Sequence, residues 1–365
     1  MAQLARTFGI SAVATLLIWV ATAWGMGFSG LMAVVVLTFL EITFSFDNAV
    51  VNAKLLGFLS PWWQRFFMTF GIFVAVFVVR FALPVVIVAI TTGLGFIAVT
   101  NMALDQPELY GHELEKAAPA IDSFGGVFLL MIAAGFFLDA VKNVHWFGWL
   151  ERRLSALGRY DNVAIFTLAL VSVVIAATMP GDVQQRFVVL VAATSGILLN
   201  VGLGIFGAVM DGDEEEDEIT PARTVRVLVG GAAFFMFLRL EVLDASFSFD
   251  GVIGAFALSN NVIVIMAGLG AGALWVRSLT VHLVRAGTLA KYRYLEHGAH
   301  WAIAALGVVM LLKVYHVHPP EWVTGSLGLA FIGLAVWSSV RHHRQAVASD
   351  QELIKEEQHV DTNVI

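Results

Sequence analysis

Residues 31–57 read LMAVVVLTFLEITFSFDNAVVNAKLLG, an apolar run with two carboxylates, Glu41 and Asp47, in its interior. As a continuous helix the run would extend about 40 Å against a hydrocarbon core of about 30 Å, which predicts a transmembrane helix that is tilted or broken. A second run, residues 225–257, reads VRVLVGGAAFFMFLRLEVLDASFSFDGVIGAFA and repeats the pattern. Glu41-Ile-Thr-Phe-Ser-Phe-Asp47-Asn48 stands against Asp244-Ala-Ser-Phe-Ser-Phe-Asp250-Gly251. Phe-Ser-Phe-Asp is identical, and in both a carboxylate precedes the aspartate by six residues. On an unbroken helix Glu41, Ser45 and Asn48 share a face while Asp47 points about 120° away from Glu41. Unwinding near Ser45 to Asn48 would bring the two carboxylates together and free backbone carbonyls as ligands.

Outward from these runs, apolar segments recur along nearly the whole chain, at 8–26, 31–57, 66–91, 123–141, 163–179, 187–209, 225–257, 262–283, 298–314 and 323–340. Of 365 residues, 59% are apolar and 13% charged, where a soluble domain has about 25% charged. With a mean hydropathy of +0.82, this makes a soluble globule an improbable reading and excludes a disordered chain and a disulfide-rich scaffold. Hydrocarbon offers no water to backbone groups, so each run is expected to be helical. The expected fold is an all-α polytopic membrane bundle of about ten transmembrane helices.

Lys and Arg set the orientation. With the N-terminus in the cytoplasm, most of the 21 basic residues fall inside. Lys116, Arg186 and Lys313 fall outside, and Arg80, Arg239 and Arg277 lie within or beside spans. Both termini are then cytoplasmic, and the two Phe-Ser-Phe-Asp runs cross in opposite directions. An inverted-topology internal repeat follows, an arrangement found in secondary transporters whose substrate site lies where the repeats meet. The natural division is 1–186 (spans one to five) and 187–345 (spans six to ten), with an acidic cytoplasmic loop at 210–222 and a polar cytoplasmic tail at 346–365, expected to be disordered or partner-facing. Arg6, the apolar stretch behind it and Ala21-Thr22-Ala23 also resemble a cleavable signal peptide; a retained first span is expected, since polytopic inner-membrane proteins usually keep theirs.

Five acids lie inside these two spans: Glu41, Asp47, Glu241, Asp244 and Asp250. At about 2.5–3.5 kcal/mol each they would cost roughly 12–18 kcal/mol unpaired, so something neutralises them. One reading is structural, with the acids protonated or bridged to Arg80, Arg239 and Arg277, the latter two snorkelling to the interface. The other is a cation or proton pathway, the default for intramembrane acids. With Asn48 and the hydroxyls of Ser45, Ser246 and Ser248 they form a hard-oxygen set suited to Mn²⁺, Mg²⁺ or Ca²⁺. There are no cysteines, which removes thiolate metal sites. The candidate metal residues are Glu41, Asp47, Asn48, Glu241, Asp244 and Asp250, and ion–proton competition for the same oxygens suggests proton coupling. The net charge of −7 and the run Asp211 to Glu218 make nucleic acid an improbable partner. No Ser-His-Asp set, phosphate loop or HExxH motif is present, so neither an enzyme nor a resident cofactor is expected.

Other signals carry bland readings. Asp139 is expected to pair locally with Lys142, His316 and His318 before Pro319-Pro320 to form an interfacial turn, and the acidic run to be a solvated loop. His145-Trp146 to Arg159 fits a surface helix. Gly202, Gly204 and Gly207, and Gly268, Gly270 and Gly272, are expected to permit close helix packing.

The chain resembles the TerC family of integral membrane proteins, in particular its larger branch. Leu40-Glu41 through Ser45-Phe46-Asp47-Asn48 is similar to that family's first acidic signature, and Glu241 through Asp250 to its second. Arg277-Ser-Leu-Thr, Tyr294-Leu-Glu-His-Gly298 and the run to Leu312-Lys313 resemble a third block. The resemblance implies a bacterial inner-membrane protein associated with tellurite resistance and, in several members, with manganese export, with Glu41, Asp47, Glu241, Asp244 and Asp250 as metal residues. Many members have Asp-Ser where this chain has Asp250-Gly251, which removes a hydroxyl ligand. The expected function is therefore divalent-cation transport, Mn²⁺ export above all, in a bilayer and with protons as counter-ion; a homo-oligomer is compatible with such a bundle. The rival is a membrane scaffold of a metal- or tellurite-stress complex without transport.

Overall fold

A computed structural model describes residues 2–142, 144–160, 162–211, 227–256, 258–259, 261–287 and 291–362. Nearly all of the acidic loop expected at 210–222 lies outside them, as do the side chains of Asp47 and Asp250, although both residues lie on described helices. In order the elements are α1 (Ala2–Phe44), α2 (Phe46–Gly57), α3 (Pro61–Phe73), a π-helical stretch (Val74–Ala82), α4 (Leu83–Thr92), α5 (Phe96–Asp105), α6 (Pro107–Phe137), α7 (Gly148–Leu157), α8 (Val163–Thr178), α9 (Val183–Asp211), α10 (Gly230–Phe256), α11 (Val262–Arg285), α12 (Leu295–Lys313) and α13 (Glu321–Thr362). Extended pairing among the described residues is limited to one bridge, Leu59 to Leu228.

Among the described residues six helical stretches are long and apolar enough to cross a membrane: Thr7–Thr43, Pro61–Thr92, Pro107–Phe137, Val183–Met210, Val262–Arg285 and Leu295–Lys313. Large apolar side chains such as Ile10, Trp24, Ile90, Ile97, Phe166 and Leu198 point outward, which is stable only against lipid. The chain is an all-α, multi-pass membrane protein.

Helix α1 contains two passes. Gly27 sits at φ 71°, ψ −168°, a conformation essentially restricted to glycine. The Trp19 indole donates to Thr38 Oγ1 at 3.5 Å, and its ring lies 6.4 Å from that of Phe39; on a straight helix Trp19 and Thr38 would be about 28 Å apart. The chain therefore folds back at Gly27, between the first and second apolar segments. A second interruption falls at Ser45, with φ −100° and ψ 15°, the place where unwinding was expected. The equivalent stretch of α10 is unbroken, so the two repeats are not conformational copies.

Both arms of α1 pack on α11. Ser11 Oγ bonds to Leu274 O (2.9 Å) and Ser278 Oγ (2.7 Å), polar contacts of the kind that join helices in lipid. On the other arm, Gly268 faces Leu37 and the Val34 carbonyl, and Gly272 faces Glu41 and the Thr38 carbonyl. A methyl at Gly272 would overlap Glu41 Cβ and lie 2.9 Å from Thr38 O, so the absent side chains set the helix separation. The order of these contacts makes the second arm of α1 run alongside α11 in the same direction. On α10, Glu241 and Asp244 lie at Arg277, whereas Gly251 lies at Glu41; α10 thus runs the opposite way, and the two Phe-Ser-Phe-Asp segments are antiparallel.

Four local expectations are corrected. Gly202 and Gly204 face open space, and Gly207 meets only Phe235 at 3.8 Å, so they do not mediate packing. Helix α6 starts at Pro107, sixteen residues before the expected span, because Pro at its first turn and buried Tyr110, Leu114 and Ala117 extend it toward α10 and α11. Lys142 reaches Glu151 rather than Asp139; Asp139 lies beyond the end of α6 and accepts from the Val141 amide at 2.9 Å. Finally, α13 runs as helix to Thr362: residues 340–362 contain neither Gly nor Pro, and their Glu, Gln and Lys are good helix formers.

Candidate functional site

The five expected acids lie on α1, α2 and α10, and among the described side chains the structure places Arg80 against Glu41 and Arg277 against Glu241 and Asp244. In the first half the π-helical stretch carries Arg80, whose Nη2 donates to Glu41 Oε1 and whose Nη1 donates to the Ala75 carbonyl at 2.8 Å. Pro84 in the first turn of α4 has no N–H to offer the Arg80 carbonyl, so regular α-helical bonding cannot run unbroken through this region. Ser45, at the break after α1, donates to the same Glu41 oxygen at 3.1 Å. Glu41 and Arg80 are 5% and 3% exposed.

In the second half Arg277 of α11 forms a fork with Glu241, Nη1 to Oε1 at 3.1 Å and Nη2 to Oε2 at 2.9 Å. Nη2 also donates to Asp244 Oδ2 at 3.2 Å, and Nη1 to the Phe67 carbonyl at 3.1 Å. The guanidinium lies 4.1 Å over the Phe67 ring. Room for it is made by Gly71 on α3, where a methyl would overlap Nη1 and stand 2.8 Å from Glu241 Oε1. Arg277 is fully enclosed rather than snorkelling to the interface: the planar, weakly hydrated guanidinium suits a buried bidentate pair.

The two groups approach each other where α10 passes α1. Gly251, the residue after Asp250, places α10 so that a methyl there would lie 3.4 Å from Glu41 Oε2. Three carboxylates, two arginines and Ser45 thus form one ionic layer between antiparallel signature helices. The structure brings Glu41, Glu241 and Asp244 into this layer and buries Asn48 on α2, while the Asp47 and Asp250 side chains fall outside the described residues. Among the described residues no three His, Asp or Glu side chains stand together as a ready metal-holding group. Guanidinium groups occupy the carboxylate oxygens, so an incoming cation would compete with them.

Two buried acids were not expected. Asp122 of α6 is 3% exposed; it escaped notice because the charged run from Glu113 to Lys116 placed the start of the span after it. Glu151 of α7 is fully buried. It accepts from the Trp301 indole and the Trp146 amide at 3.1 Å each, and from Lys142 at 3.3 Å, tying the surface helix to α12 at one end of the bundle. Burial pushes its carboxyl up, but the Trp301 indole, the neighbouring His297 and Lys142 and the Trp146 amide outweigh it and hold the group below the usual carboxylate range. Burial pushes the Lys142 ammonium down. The basic and aromatic stretch from His145-Trp146 to Arg159 was legible as a surface helix, but not what Glu151 would meet.

No curated protein and no solved structure matches the chain. The family model described as "Protein of unknown function (DUF475)" matches residues 46–346, which takes in α2, the arginines Arg80 and Arg277 and the whole second signature. The chain belongs to the DUF475 family.

Proposed function

We propose that the protein transports a divalent metal cation, Mn²⁺ above all, out of the cytoplasm of a bacterial cell through the inner membrane, with protons as the counter-ion, as the TerC resemblance implies. The observation that supports this reading is the ionic layer between the antiparallel signature helices. Five acids lie on these helices, and among the described side chains two arginines pair with Glu41, Glu241 and Asp244. The arginines set an opposite charge directly against Glu41, Glu241 and Asp244 in a low-dielectric interior. The remaining negative charge, with Asp47 and Asp250, supplies hard oxygen donors to an ion that needs six or more. Entry of the ion displaces guanidinium from part of the carboxylate set, and its departure returns the acids to arginine or to protons. Because each half contributes one acid–arginine pair, rocking of one half against the other exposes the layer to either side.

The same pairs favour a second reading, a membrane scaffold whose ionic layer only locks the bundle. Mn²⁺ uptake into everted vesicles separates the two, using wild type, Asp47→Asn and Asp250→Asn, an imposed pH gradient, and Ca²⁺, Mg²⁺ and Zn²⁺ as competitors. The expected result is uptake that requires the gradient and disappears in both variants while the variants remain inserted. Equal counts in all vesicles would establish the scaffold.

A further inference from the structure

At the end of the bundle away from Glu151 lies a cavity of about 400 Å³ that the transport reading does not use. Its walls come from parts of the chain 200 residues apart: His112, Glu115 and Asp122 on α6, Ile253 on α10, and His316 and His318 in the turn after α12. Three imidazoles beside a carboxylate, without thiols, make a donor set that suits Zn²⁺, Cu²⁺ or Ni²⁺ rather than Mg²⁺ or Ca²⁺. His112, His316 and His318 are exposed, so an ion reaches them from water without crossing hydrocarbon. The rings of His316 and His318 are 6.4 Å apart, near enough to close on one ion by side-chain rotation. Of the two lysines at the cavity, Lys116 is drawn to Glu113 at 2.7 Å. That leaves Glu115 and Asp122 against Lys313, and no excess positive charge to repel a cation. Ile253 lies three residues, about 4.5 Å of helix rise, beyond Asp250, so the cavity continues the line of acids outward along α10.

The turn itself holds His316 in place. Its amide donates to the Lys313 carbonyl at 2.8 Å, and that of Val317 to the Leu312 carbonyl at 3.3 Å. This is the helix-ending turn that usually places glycine where His316 stands at φ 60°.

We infer that this cavity is an outer cation site that takes one divalent transition-metal ion through His112, His316 and His318, with Glu115 as fourth ligand. The site is chemically distinct from the carboxylate layer, and the inference holds whether or not the chain moves ions. These side chains line one cavity without standing together as a closed group, so binding draws the turn after α12 toward α6.

The test uses full-length protein in detergent, loaded with one equivalent of Cu²⁺ and examined by electron paramagnetic resonance. Coupling to ¹⁴N marks imidazole ligands and is absent from an all-oxygen site. The expected result is multiple-nitrogen coupling in the wild type, fewer nitrogens in His112→Ala and in His316→Gly, and an unchanged spectrum in the control His342→Ala/His343→Ala. Zn²⁺ competition against a chromophoric chelator should show affinity falling about tenfold or more in the first two variants. His316→Gly installs the residue that the turn prefers, so its loss of binding is not loss of fold, and size-exclusion profiles verify this. An oxygen-only spectrum in the wild type overturns the inference. So does a His112→Ala spectrum identical to wild type, which would reduce the site to a surface pair in the loop.

Discussion

Replacing Arg277 by Met tests whether the ionic layer is held together as described. The substitution removes three charge-assisted bonds, two to Glu241 at 3.1 and 2.9 Å and one to Asp244 at 3.2 Å. It also removes the bond to the Phe67 carbonyl and the contact over the Phe67 ring. Methionine fills much of the volume, so cavity formation is a minor part of the effect. What remains is two buried carboxylates without their cation. Breaking a buried pair on one side costs about 3–5 kcal/mol, whereas replacing both sides by neutral groups of similar volume is often nearly neutral. The triple variant Arg277→Met/Glu241→Gln/Asp244→Asn should therefore recover most of that loss. Reversible denaturation in mixed micelles, followed by helicity and indole fluorescence, measures both steps. Arg277→Lys should fall between, because an ammonium cannot reproduce the fork. If the single and triple variants are equally unstable, the loss comes from packing rather than uncompensated charge, and the electrostatic account is wrong. If Arg277→Met unfolds at the same denaturant concentration as wild type, the carboxylates are already protonated and the arginine is dispensable.

Gly272→Ala should force α1 away from α11, since its methyl overlaps Glu41 Cβ; a loss of about 1–3 kcal/mol in the same unfolding assay is expected, with Gly202→Ala, where nothing lies within 4 Å, neutral or stabilising. Gly27→Ala should cost a similar amount, about 1–3 kcal/mol, and loosen the Trp19–Thr38 contact, read as a red-shifted Trp19 emission in a background lacking the other tryptophans. Glu151 has a depressed carboxyl, so its contribution is fully present above the unfolded-state value near pH 4 and is lost as pH falls through the lower folded value. Thermal melts from pH 7 to pH 2.5 should show this acid-side loss in wild type and a smaller one in Glu151→Gln, which starts less stable at neutral pH. Identical slopes would mean that Glu151 is not ionised in the fold.

Much was legible because the bilayer is a severe solvent. Runs such as 31–57 and 262–283 can exist in hydrocarbon only as helices, so composition and length predicted an all-α bundle without any knowledge of contacts. The Phe-Ser-Phe-Asp pair and the placement of Lys and Arg predicted opposite directions for two helices, and Ser45 was marked as a weak point by the excess length of its run. Those inferences depend on local sequence and on the medium.

The sequence could not say which charges would meet. Arg277 lies 36 positions from Glu241 and Arg80 39 from Glu41, and pairing across such separations is set by helix direction, by the π-helical register and by the space left at Gly71. The glycine triads show the same limit: Gly268, Gly270 and Gly272 pack against neighbours, whereas Gly202 and Gly204, equally small and similarly spaced, face open space. His112 and His316 share a cavity only because α6 and α12 lie side by side in opposite directions. Propensity and hydropathy are properties of a segment, but the partner of a buried charge is a property of the packed bundle. Only the tertiary structure decided that Glu41, Glu241 and Asp244 are answered by arginine.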